Sequence, residues 1–289
     1  MPELAEVLHM SEDINRWCVD NTFHHIHLSE SRNPRNPIIE PPPWPFTISS
    51  ESYGKELRLL LRGSEEGQTM SIVMGMGMSG KWLWTTTGLD VPDSQLRFDT
   101  KDGHTLHFID WRRFGRWKIG DFSKDRGPDP VIDFEPFCEN IARSLHLRSF
   151  EKPICEVLLD QKYFNGIGNY LRAEILDRSG TEPLQPAKLA LAPAVDLIRS
   201  GGPMMMQGRT NVITLCRDIP KEVIDMRLKE GSRDRFTSWL RCYGKGKSIV
   251  DGTGRRIWYN GELGGQLREK RTVVPKRTFC MFMLHMRCI

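Results

Sequence analysis

The chain has seven cysteines but none of the pairings that would make them structural. They stand at Cys18, Cys138, Cys155, Cys216, Cys242, Cys280 and Cys288, an odd number without one C-x-x-C. A disulfide framework and a zinc site are therefore not expected, and no cofactor or metal is called for. Long apolar runs are also missing. Nothing approaches the roughly 18–20 residues of a membrane span, and the apolar stretch "TFCMFMLHMRCI" near the end is too short. No signal peptide is read at the start, because Glu3, Glu6, Glu12 and Asp13 interrupt it. The expectation is an intracellular protein.

What the chain does have is 289 residues, 39% hydrophobic and 27% charged, in the range of a globular protein of two domains. The net charge of +4 is unevenly spread. Between Arg241 and Cys280 ten Lys/Arg face three Asp/Glu, leaving the rest slightly acidic. That asymmetry suits an anionic partner, with nucleic acid first, or else a merely solvated basic tail.

The first third reads as strands. "FTISSESYGKELRLLLR" alternates apolar and polar positions on either side of a Gly-Lys turn, and "MSIVMGMGMSGKWLW", "SQLRFDT" and "HTLHFIDW" continue the pattern. Ala5 to Cys18 fits a helix packed on the resulting sheets, "NPIIEPPPWPF" a surface loop, and residues 121–135 a linker. Helical spacing appears next in "PFCENIARSLHL", "PICEVLLDQKYF", "NYLRAEILDRSG", "PAKLALAPAVDLIRSGG" and "RDRFTSWLRCYG". "SIVDGTGRRIWYNG" reads as a hairpin.

Three stretches carry chemistry. In "NGIGN" two glycines make a tight turn before a helix beginning at Asn169, whose free N–H groups suit a phosphate; as spacing alone it is equally a packing motif. "DWRRFGRWK" interleaves arginines with Trp111, Phe114 and Trp117, as base-exposing proteins require, and as an ordinary strand would also allow. "DGTGRRIWYNG" presents Arg255 and Arg256 at a sharp turn, a pattern common on plain surfaces.

Taken in order, "MPELAEV", "GKELRLLL", "GMSG", "RRFGRW" and "LLDQKYFNGIGNYLRAEIL" resemble the formamidopyrimidine-DNA glycosylase/endonuclease VIII family. The likeness is to its animal branch, in which a zincless-finger hairpin replaces a four-cysteine zinc finger. The fold so implied is α+β: an N-terminal two-layered antiparallel β-sandwich with flanking helices, over 1–130; a helical domain with a helix–two-turns–helix motif, over 131–245; the zincless-finger hairpin, 246–264; and a basic and apolar tail, 265–289, expected to be disordered. Ala5 departs from the proline usual in the family's opening, and "DMRLKEGSRDRF" is shorter than the animal lesion-recognition loop.

The resemblance implies a bifunctional DNA glycosylase and lyase of base excision repair, acting on oxidised pyrimidines, ring-opened purines and hydantoins. After loss of Met1, the Pro2 amine would be the nucleophile, Glu3 the general acid, and Lys55 the proton donor for elimination, with Glu6 in support. Gly168, Asn169 and Arg255 would hold DNA; Met78, Arg112 and Phe114 would fill the gap left by an extruded nucleotide. Partners would be damaged duplex, bubble or single-stranded DNA bound by a monomer in the nucleus, or in the cytoplasm if the source is not eukaryotic, with repair proteins contacted through the tail. The alternatives are a non-catalytic damaged-DNA-binding member of the family and an RNA- or ribosome-associated protein.

Overall fold

The computed structural model describes residues 2–86, 90–201, 210–227 and 232–263. Met1, part of the lesion-recognition stretch and the tail from 264 onward lie outside the described residues. The expected helix is present as α1, Leu4–Cys18. It shares its apolar face between two cores. Leu4 and Ala5 belong to the core of the C-terminal helices, while Val7, Ile14 and Cys18 belong to that of the strands.

Strand alternation builds two four-stranded antiparallel sheets. The first runs in the order β1 (Phe23–Leu28), β6 (Ser94–Thr100), β7 (Thr105–Ile109), β5 (Lys81–Thr85). The second runs β2 (Thr47–Tyr53), β3 (Glu56–Arg62), β4 (Thr69–Gly75), β8 (Arg116–Ile119). Inward residues of both, among them Leu57, Leu59, Leu61, Phe98, Leu106 and Phe108, form one buried layer. Two connections position candidate site residues: the β2–β3 turn at Gly54 and Lys55, and the loop that carries the chain from β7 to β8 across the two sheets.

The expected linker is no loose tether. Asp129 is buried there; it accepts the N–H of Gly54 at 2.7 Å, and those of Val131 and Ile132 at 2.7 and 3.2 Å. Beyond it stand α2 (Phe134–Ser144), a 3-10 turn at Arg148–Glu151, α3 (Ile154–Val157), α4 (Asn169–Ser179), α5 (Ala187–Arg199), α6 (Val212–Arg227) and α7 (Ser232–Trp239). The expected helix over 154–164 stops at Val157 and gives way to successive turns, with Asp160 N–H bonded to the Val157 carbonyl at 3.0 Å and Tyr163 N–H to that of Asp160 at 3.0 Å. The expected hairpin is β9 (Lys247–Val250) against β10 (Arg256–Tyr259).

Candidate active site

The start of α1 and the start of α4 meet. Glu3 precedes the first turn of α1, and its side chain is fully buried against the N-terminus of α4. Its carboxyl accepts three backbone N–H groups: Gly168 at 2.7 Å, Tyr170 at 3.0 Å and Leu171 at 3.2 Å. The donors that "NGIGN" was expected to offer a phosphate are therefore given to a carboxylate of the same chain. Gly168 is buried, and a Cβ on it would collide with the Glu3 carboxyl, so the motif needs glycine for this internal approach. The Leu4 N–H, bonded to the Gly166 carbonyl at 3.1 Å, adds a second tie. Burial pushes the Glu3 carboxyl above the ordinary carboxylate range, against the pull of Lys55 and the three amide donors.

Glu6, half-buried one turn along α1, accepts the Glu3 N–H at 3.0 Å and the Tyr170 hydroxyl at 2.9 and 3.2 Å. Burial, reinforced by the neighbouring Glu3, moves it up to about 7. Pro2, half-buried, directly precedes this cluster.

Lys55 reaches the pocket from the sheet side. Tyr53 pairs with Glu56 across the two-residue turn, with Gly54 at a φ of +58°. The turn is seated by the Gly54 bond to Asp129, and the Lys55 ammonium donates to the Ile167 carbonyl at 2.6 Å. Gln161 holds that loop in turn, donating to the same carbonyl at 3.0 Å and accepting the Gly166 N–H at 3.0 Å. Burial lowers the amine to about 8; Arg126 and Arg255 act in the same direction, Glu3 and Glu6 against it.

Asn169 is half-buried at the first position of α4, its amide beside the Tyr243 hydroxyl, and its Oδ1 finds no hydrogen-bond partner. Arg255 is exposed at the hairpin turn. Arg256, expected beside it at the tip, folds back instead: its guanidinium donates to Ser248 Oγ at 2.7 Å.

Sequence reasoning missed what fixes that hairpin. Arg172 and Glu174 of α4 were not singled out in the sequence, yet both are completely buried. Arg172 forms an ion pair with Asp251 at 2.8 Å and also donates to the carbonyls of Cys155 at 2.7 Å and Arg256 at 3.0 Å. Glu174 accepts the N–H groups of Arg241, Cys242 and Tyr243 at 2.9, 2.9 and 2.8 Å. Tyr170, Arg126, Gln161 and Asp129 were missed as well. Each has at least one partner far along the chain, from 35 residues for Arg126 with Gln161 to 164 for Tyr170 with Glu6, beyond any local pattern.

The remaining predicted residues form a second cluster. Gly77 abuts Phe114, so the loop after β4 and the β7–β8 loop touch. Asp110, buried, accepts the Gly115 N–H at 2.6 Å and bonds the Ser79 hydroxyl, which in turn accepts the Arg112 N–H at 3.2 Å. Met78 and Phe114 remain 40% and 51% exposed, and the Arg112 guanidinium lies 4.7 Å from the Phe114 ring centroid.

Two antiparallel sheets, a helical body and an N-terminal glutamate buried against the start of α4 make up the fold. It is shared with Fpg (MutM) of Thermus thermophilus, at TM-score 0.66 and 21% identity over 89% of this chain and 97% of that one. It is also shared with Lactococcus lactis Fpg bound to DNA containing an oxidised pyrimidine, at TM-score 0.67 and 19% identity over 90% and 98%. Residues 1–117 match the Formamidopyrimidine-DNA glycosylase N-terminal domain, and residues 234–268 the Endonuclease VIII-like 1 DNA-binding domain. Human Endonuclease 8-like 1 is 35% identical over 91% of this chain and 73% of its own length. The chain belongs to the formamidopyrimidine-DNA glycosylase family, with the hairpin region of its Endonuclease VIII-like 1 members.

Proposed function

We propose that this protein is a bifunctional DNA glycosylase and abasic-site lyase of base excision repair. The observation that carries the reading is that Lys55 and the start of α4 converge on buried Glu3, one residue from Pro2 and beside half-buried Glu6. With Met1 gone, the Pro2 nitrogen attacks C1′ of the damaged nucleotide, and the C1′–base bond breaks with its electron pair leaving on the base. Lys55, at about 8, still carries its proton at neutral pH and can deliver it to the departing base. The Pro2 nitrogen then loses its N–H proton to water, and its lone pair forms the C1′=N bond as the C1′–O4′ bond opens and Glu3 protonates the ring oxygen, leaving a Pro2 iminium. The burial that raises Glu3 supports this role, because a general acid must hold a proton until then. The iminium accepts the electrons of the C2′–H bond, the 3′ phosphate is expelled, and a second elimination releases the 5′ side. Water hydrolyses the iminium and frees Pro2. Tyr170 and the Glu3 N–H hold Glu6 beside these groups.

Such chemistry needs the nucleotide extruded from the duplex. Met78, Arg112 and Phe114 fill the space it leaves, while Asn169 and Arg255 hold the flanking phosphates. The substrates are oxidised pyrimidines, ring-opened purines and hydantoins in DNA, bound by a monomer acting in the nucleus, with the tail a contact for repair proteins.

Borohydride reduction in the presence of DNA carrying an abasic or oxidised-pyrimidine site tests the reading. The expected result is a covalent adduct mapped to Pro2 and an intact mass lacking Met1. Binding without any adduct would overturn the enzyme and leave a damaged-DNA-binding protein.

A further inference from the structure

The run "DWRRFGRWK" holds three aromatic residues, and the structure sorts them sharply. Trp117 is 4% exposed, with its indole N–H donating to the Pro37 carbonyl at 3.0 Å, so it belongs to the sandwich core. Trp111 is 58% exposed, more than Phe114 or Met78 in the same two loops. Its indole is not adrift. The Arg112 guanidinium lies 5.7 Å from the Trp111 ring centroid and 4.7 Å from that of Phe114, which gathers both rings about one cation.

The backbone beneath is fixed. Arg113 takes a left-handed φ of +56°, its N–H bonds the Asp110 carbonyl at 3.1 Å, and its own carbonyl accepts Asn33 Nδ2 at 2.7 Å. A large ring on a rigid, basic loop is held ready for a partner that is flat, π-faced and attached to negative charge. A nucleobase in its phosphate chain has that chemistry.

We infer that Trp111 is a further DNA-reading residue, its indole stacking on a nucleobase beside the gap left by the extruded nucleotide. The inference rests on the glycosylase reading. It adds an aromatic platform at the edge of the gap that Met78, Arg112 and Phe114 fill.

The test is binding of Trp111→Ala and Trp111→Phe to a labelled duplex with a tetrahydrofuran abasic analogue, titrated across salt concentrations. Alanine is expected to weaken binding roughly tenfold, or ~1.4 kcal/mol, at the low end of what base–aromatic stacking supplies. Phenylalanine, which keeps a ring, is expected to restore affinity to within about threefold of wild type. The slope of log Kd against log salt should not change, because an uncharged ring displaces no counterions. Unchanged affinity in the alanine variant would overturn the inference. So would a weakened variant whose salt slope also falls, since Trp111 would then act through Arg112. Borohydride trapping of the wild type separates the two failures. A Pro2 adduct with an alanine variant that binds normally sinks the Trp111 inference alone; a wild type that neither binds nor traps sinks the glycosylase reading with it.

Discussion

The pocket and the reading loops solve opposite problems. In the pocket the side chains of Glu3, Glu6 and Lys55 are bonded and withdrawn from water, and their proton affinities move as a result. At the loops the bonding is spent on the backbone, and Met78, Trp111 and Phe114 are left facing outward. Proton transfer needs groups whose charge is poorly solvated. Reading an unstacked duplex needs vacant hydrophobic faces on a frame that does not move. One chain supplies both by placing them on different connections of the same sandwich.

The contrast predicts where substitutions act, the largest effect first. Glu3→Gln removes the proposed acid and should slow single-turnover excision of an oxidised pyrimidine by about 10²–10⁴-fold, the range of lost general acid catalysis. Excision at the wild-type rate would break the comparison at its deepest point. Arg172→Met leaves Asp251 buried without its cation and should cost about 3–5 kcal/mol. Thermal melting should then fall by on the order of 10 °C for a chain of this size. Arg172→Lys should not restore it, since one ammonium cannot serve Asp251 and two carbonyls in that geometry.

Gly168→Ala pushes Glu3 from its place and should lower kcat by up to about 10²-fold with little change in KM; equal loss in both would mean that the glycine serves binding instead. Phe114→Ala should weaken binding to damaged duplex roughly tenfold while moving stability by only ~0.5 kcal/mol, because the ring is 51% exposed. The smallest and most diagnostic effect is on pH. Lys55 donates only while protonated, so kcat/KM should decline as pH rises past about 8, and Lys55→Arg should lack that limb.

Much of the fold and the pocket was legible in the sequence, for identifiable reasons. The Gly54–Lys55 turn announced itself through alternation on both sides, and the β-rich first third obeyed the same rule. Pro2, Glu3 and Lys55 were reached through family resemblance, which links distant positions that local spacing cannot. α6 escaped because Pro220 sits within it, although Val212, Ile213, Cys216 and Ile219 pack its face into the core. The purpose of "NGIGN" stayed open between phosphate and packing, because a free N–H looks the same whether a phosphate or a glutamate 165 residues earlier will take it. Arg172 and Glu174 went unnoticed because charge in a sequence says nothing about where its partner lies. The same limit hides Asn33 and Asn36, which brace the Arg113 and Gly115 carbonyls from about 80 residues away.

The divided loyalty of α1 has a mechanical consequence. A rod rooted in two bodies is a lever, and here the end beside Pro2 and Glu3 is the one fixed in the helical body. Any rotation of the sandwich against the helices must turn that rod or shear Leu4 and Ala5 from their seat. Residue 2, the proposed nucleophile, is thus geared to the angle between the two halves.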